Sequence, residues 1–144
     1  MVIAIIGENC TGKSTLADKV QAAVGGEIVT GKDYLRLAKS ESEATLLFRK
    51  KLARAVEGDN VIYVITLSEH LALLPEGAVK VLVTASLDTI KARFAERMHG
   101  TLPPPVARML EMKHGSFDGG TYDYRYDSEH DDAEALVAAI KSRA

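Results

Sequence analysis

Cysteine occurs once in this chain, at Cys10. That excludes an internal disulfide, and no Cys/His cluster with metal-ligand spacing accompanies it. Both absences fit a reducing compartment, so a cytoplasmic protein is expected. Excess charge of either sign is also missing. Eighteen Lys and Arg against twenty Asp and Glu leave a formal net charge of −2. Such totals point to no nucleic-acid or membrane partner, although a local basic patch, which a phosphate site needs, remains allowed. Long hydrophobic runs are absent too. The first run, Val2-Ile3-Ala4-Ile5-Ile6, is far below the ~20 residues of a membrane span. It lacks the basic leader and cleavage site of a signal peptide and reads as a buried strand. What is left is ordinary globular composition, 47% hydrophobic over 144 residues. That is enough for a core without staples, and one domain over 1–144 is expected, as a monomer or homodimer.

The most informative stretch follows that strand. Gly7-Glu8-Asn9-Cys10-Thr11-Gly12-Lys13-Ser14 matches G-x-x-x-x-G-K-[ST] between a strand and the helical pattern 13–24, the setting of a phosphate-binding P-loop. Gly7 and Gly12 permit backbone conformations that a Cβ hinders. Successive N–H groups can then curl around phosphate oxygens, aided by the helix N-terminus up to Thr15. Lys13 can reach the β- and γ-phosphates, and Ser14 can ligate Mg²⁺. A nucleoside triphosphate, ATP, with Mg²⁺ is therefore the expected ligand.

Further along, Glu27–Thr30, Val61–Ile65, Val79–Thr84 and an edge segment near Tyr122–Tyr126 read as strands. Helical patterns separate them: Ser40 has capping-box spacing to Glu43, and Ser86 or Asp88 can cap the helix carrying Leu87, Ile90, Phe94 and Met98. Ala133, Leu136, Val137 and Ile140 mark the last helix. Residues 101–120 read as irregular, with a short helical piece at 106–114. No internal repeat or splitting linker is present. Alternating strands and helices predict a three-layer α/β/α domain around a five-stranded parallel sheet, with ligands beyond the carboxyl ends of the strands.

Three stretches could carry chemistry at that edge. In Thr30-Gly31-Lys32-Asp33-Tyr34-Leu35-Arg36, Asp33 can orient or deprotonate an acceptor hydroxyl. Lys32 and Arg36 can hold an acceptor anion. The plain alternative is a capping Asp33 beside two solvated cations. Arg93 and Arg97 are i, i+4 neighbours that can neutralise a transferring phosphoryl group, or are simply solvated. The segment of about 100–120, with Arg108, Lys113 and His114, suits a lid that excludes water, or else is a surface loop. A lone loop histidine such as His114 is ordinarily just solvated; His70 and His99 read as structural or exposed. Cys10 needs only to be small.

On these residues the chain resembles the P-loop kinases of the nucleoside-monophosphate and shikimate kinase type. Thr30-Gly31…Asp33-Tyr34-Leu35-Arg36 resembles the T-G-D-x-L-R stretch of adenylate kinases, with Lys32 inserted. Arg93 and Arg97 match the R-x-x-x-R spacing before the adenylate kinase lid, and Val81–Ser86 resembles the fourth strand of cytidylate kinases. The resemblance implies the sheet order 2-3-1-4-5. It also implies that Arg36 holds an acceptor phosphate and Asp33 contacts the acceptor. Arg93 would border adenine, and Arg97 would reach the phosphates. The chain departs from the pattern where the third strand runs into Thr66 instead of an acid; Glu69 lies just beyond. The expected activity is transfer of the γ-phosphoryl group of MgATP to a small hydroxyl- or phosphate-bearing acceptor. The missing acid motivates an alternative, a nucleotide-binding regulatory protein or slow NTPase.

Overall fold

A computed structural model describes residues 1–143. Five strands, β1 (Val2–Ile6), β2 (Glu27–Thr30), β3 (Val61–Ile65), β4 (Val79–Thr84) and β5 (Tyr124–Asp127), form one all-parallel sheet in the order β2-β3-β1-β4-β5. The fold is three-layer α/β/α, and the order is the expected one. β1 lies at the centre because all five of its residues are apolar, and all are fully buried. A strand's side chains alternate between faces. Ile3 and Ile5 therefore pack under α1 (Lys13–Val24) and α5 (Ala133–Lys141), against Leu16, Val20, Val137 and Ile140. Val2, Ala4 and Ile6 pack on the other face against Phe48 and Leu52 of α2 (Glu41–Ala55). Tyr63, also fully buried, meets Phe48 edge-on at 5.0 Å between ring centroids and donates its hydroxyl to the Gly31 carbonyl at 2.7 Å. That bond fixes the turn after β2.

Helix ends follow local chemistry. Gly25 ends α1, its N–H donating to the Gln21 carbonyl. The Ser40 hydroxyl accepts from the Glu43 N–H at the start of α2, and the Ser86 hydroxyl does the same for Thr89 at the start of α3 (Leu87–Arg97). Asp33–Leu37 is a 3-10 turn. Gly26, at φ +103°, sits so close to the Asn60 carbonyl that any Cβ there overlaps backbone. Gly26→Ala is expected to destabilise the protein by about 2–4 kcal/mol, read from urea unfolding, since neither φ nor the contact relaxes easily.

Residues 101–120 are more ordered than the sequence suggested. Pro104–Lys113 is a ten-residue helix, α4, with prolines in its first turn. There their missing N–H groups cost no intrahelical bond. Leu110 and Phe117 are both buried, Leu110 with Ile90 of α3 and Phe117 in the α2-side core. Met98, expected inward on α3, is instead exposed, because the helix has ended at Arg97. His70 is buried beside Tyr34 and Tyr63. Among the described residues no helix is long and apolar enough to cross a membrane.

Candidate active site

All five strands point the same way, so their carboxyl ends form one edge, and the loop Gly7–Gly12, Asp33 and Thr66 all follow strands there. The loop Gly7–Gly12 leaves β1 at that edge and opens α1. Gly7 is irreplaceable on contact grounds: a Cβ would lie 2.5 Å from the Val83 carbonyl oxygen. Gly12 adopts φ +103° at the start of α1. Cys10 shares the left-handed region at φ 62° and is buried with Ala85 and Ile90, so this position needs a small, apolar side chain that tolerates that backbone. Thr11, fully buried, donates its hydroxyl to the Glu8 carbonyl at 3.0 Å and closes the turn.

Lys13 is 7% exposed, and its ammonium donates to the same Glu8 carbonyl at 2.5 Å. Its pKa is lowered to about 8, chiefly by burial and also by the Arg97 charge, with Cys10 and Glu8 opposing the shift. Ser14 and Thr15 lie beside it, exposed.

Two clefts open on either side of this loop. One, about 620 Å³, runs from Cys10, Gly12 and Thr15 past Lys19 to Arg93, Glu96 and Arg97 of α3, and to Tyr126 of β5 and Ser128 just after it. The other, about 440 Å³, contains Asn9, Lys13, Ser14, Thr30, Lys32, Asp33, Thr66 and Arg97. Arg97 is the one cation among the described residues that lines both. Its helical neighbour Arg93 is committed elsewhere: Nη1 donates to the Cys10 carbonyl at 3.0 Å and to Ser128 Oγ at 3.4 Å. Arg93 thus braces the loop, while Arg97 makes no ion pair among the described residues.

In the second cleft, Asp33 Oδ2 accepts from the Thr30 N–H at 2.9 Å and from the Thr30 hydroxyl at 3.0 Å. The Thr30 backbone bond is the main reason its pKa is held below the usual carboxylate value. Arg36 does not join it there. It lines a neighbouring pocket of about 280 Å³ with Leu37, Phe48 and Lys51, which shares Asp33 with this cleft, and its charge also helps to lower the Asp33 pKa. Thr66 lines the second cleft as a hydroxyl where an acid was expected, and Glu69 lines neither cleft.

Sequence reasoning missed Lys19 and Tyr126 as lining residues. It also missed a contact across 106 positions. Glu8 Oε1 lies 3.0 Å from His114 Nδ1, and Glu8 Oε2 accepts from the Gly115 N–H at 3.1 Å. The loop and the end of α4 are therefore joined in this state. No local signal announces such a pairing.

No protein-family model matches the sequence, and no curated protein matches it. Solved structures do resemble the fold. A sugar kinase from Janibacter sp. HTCC2649 is 18% identical with a TM-score of 0.65, the match covering 98% of this chain and 92% of that one. This is a P-loop kinase-like fold. A shikimate kinase from Bacteroides thetaiotaomicron, 14% identical, has a TM-score of 0.62 over 99% of this chain and 97% of its own. For a gluconokinase from Sinorhizobium meliloti 1021 the values are 14% and 0.61, over 99% and 91%. At such identities the kinase-like likeness is one of fold.

Proposed function

We propose that the protein is a small-molecule kinase that transfers the γ-phosphoryl group of MgATP to a small hydroxyl- or phosphate-bearing acceptor. The observation that carries this reading is the pair of clefts that share Cys10, Gly12 and Thr15 of the loop and the start of α1, with Arg97 lining both and Lys13 in the smaller. The larger cleft suits the nucleoside of a donor, bordered by Arg93; the smaller suits an acceptor. The triphosphate lies along the loop, held by backbone N–H groups from Glu8 to Thr15, the N-terminus of α1 and Lys13.

The donor set fits a divalent cation. The Ser14 hydroxyl and the ionised Asp33 carboxylate line the same cleft, and oxygen ligands suit Mg²⁺, which also retains waters. Mg²⁺ bound there would neutralise charge on the phosphate oxygens. An acceptor hydroxyl, oriented by Asp33, attacks the γ-phosphorus. The bond to the β-phosphate bridging oxygen breaks, ADP leaves with the electron pair, and the hydroxyl proton passes to Asp33 and then to solvent. Arg97 stabilises charge on the transferring group. The segment 100–120 serves as the lid. Within it Gly100 and Gly115, at φ 93° and 79°, flank α4, and closing over the phosphates keeps water from competing.

Thr66 at the end of β3 favours a second reading, a nucleotide-binding regulator or slow NTPase. Thermal melting with a non-hydrolysable ATP analogue separates the two. For a kinase, an acceptor raises Tm further with the analogue than without it. For a regulator, the analogue alone raises Tm and no acceptor adds to it.

A further inference from the structure

The residue that holds the acceptor's anion can be assigned from the second cleft, on the kinase reading above. Two cations follow β2 closely in sequence, Lys32 and Arg36. The family pattern favours Arg36, and Lys32 looks like an insertion. The structure reverses this. The tight turn after β2, pinned by the Tyr63 hydroxyl on the Gly31 carbonyl, places Lys32 in the wall of the cleft that holds Lys13 and Asp33. The 3-10 turn then carries Arg36 into the pocket with Phe48 and Lys51, which shares with this cleft Asp33 alone.

Lys32 is exposed and makes no ion pair among the described residues. Asp33 next to it spends only Oδ2 on Thr30, leaving Oδ1 without a partner among those residues. A free cation and a free carboxylate oxygen thus stand side by side on one wall. The remaining walls are polar: Asn9, Thr30 and Thr66 contribute amide and hydroxyl groups, and Cys10 and Val64 are the only apolar side chains. No aromatic ring lines the cleft, and Tyr34 and Tyr63 are turned into the core. A nucleobase acceptor needs a flat apolar or aromatic surface to stack on; a compact polyhydroxylated anion needs hydrogen-bonding walls and one cation.

We infer that Lys32, rather than Arg36, anchors the acceptor, and that the acceptor is a small polyhydroxylated carboxylate or phosphate monoester, not a nucleoside monophosphate.

The test uses the full chain with MgATP and three acceptor sets: sugar acids, sugar phosphates and nucleoside monophosphates, with neutral polyols for comparison. ADP release and phosphorylated product are both measured. Turnover is expected with a sugar acid or a sugar phosphate, and which of the two turns over identifies the anion. Lys32→Ala is expected to raise the acceptor KM about tenfold or more with kcat changed less than about threefold, as loss of uniform binding does. Lys32→Arg is expected to restore most of it, and neutral polyols are expected to be indifferent to the change. A larger rise in KM from Arg36→Ala than from Lys32→Ala overturns the assignment. Turnover only with nucleoside monophosphates overturns the acceptor class while leaving the kinase reading intact. ATP binding with no product from any set overturns both.

Discussion

Lys13→Met is expected to lower phosphoryl transfer by about 10²- to several 10³-fold while leaving the unliganded protein at least as stable as the wild type. The two effects share one cause. Lys13 is buried and charged, with one carbonyl partner. In the complex its ammonium meets phosphate oxygens in a site with little water, and removing one member of a buried charged pair costs about 3–5 kcal/mol. At ~1.4 kcal/mol per factor of ten, that is the stated loss. In the unliganded state the same burial works against the fold. The pKa falls from 10.5 to about 8, so between those values the unfolded chain binds more protons than the folded one. Stability must then rise with pH across that window. The Lys13 contribution is fully present above 10.5 and lost as pH falls through about 8. Its size is on the order of 3 kcal/mol from the shift. Urea melts of wild type and Lys13→Met at pH 7, 9 and 10 read it as a difference in which tyrosine ionisation largely cancels. The wild type is expected to gain on the variant as pH rises. Nucleotide affinity should move the other way, flat below pH 8 and weakening above it, because the anion selects the protonated amine. A variant destabilised at pH 7, or an affinity that strengthens above pH 8, contradicts this account of Lys13.

Arg97→Ala is expected to reduce the transfer rate by about 10²–10³-fold with less than about a tenfold change in donor Kd. Arg97 lines both clefts and is engaged by no carboxylate. A cation placed where two substrates meet acts on charge that develops during transfer, and such groups are worth several kcal/mol in the transition state but little in the ground state. Arg93 provides the internal contrast. It is the same residue type one helical turn away, yet its guanidinium is bonded to the Cys10 carbonyl and to Ser128. Arg93→Ala is accordingly expected to weaken donor binding along with kcat, since it loosens the loop itself. Single-turnover kinetics together with equilibrium titration of an ATP analogue separate the two patterns. Equal losses in Kd and rate at Arg97 would place it in ground-state binding instead.

The difference between these arginines shows where sequence reasoning runs out. The i, i+4 spacing put both on one helical face, but only tertiary structure shows that Cys10 and Ser128 occupy one of them. Loop and strand identities were legible because their signals are local. Five consecutive apolar residues make β1 a strand buried on both faces, and the glycine spacing defines the turn after it. The order of the strands came from resemblance, since nothing local says that β3 and β4, rather than β2, flank β1. Three consecutive prolines made the start of α4 look irregular, although proline in a first helical turn is compatible with the helix that forms. Arg36 was read as an acceptor ligand because the motif around it looks familiar. The 3-10 turn at 33–37 places it in the pocket that shares Asp33 with the cleft rather than in the cleft wall itself, a placement that spacing alone does not encode. Glu8 and His114 come together only because α4 folds back over the loop.

The most direct test of the central claim is phosphorus NMR of the protein with MgATP and a sugar-acid or sugar-phosphate acceptor. The expected result is a new phosphomonoester resonance growing in step with ADP, abolished in Lys13→Met. Release of ADP with inorganic phosphate alone, at a rate no acceptor changes, would contradict phosphoryl transfer to an acceptor and leave a nucleotide hydrolase in its place.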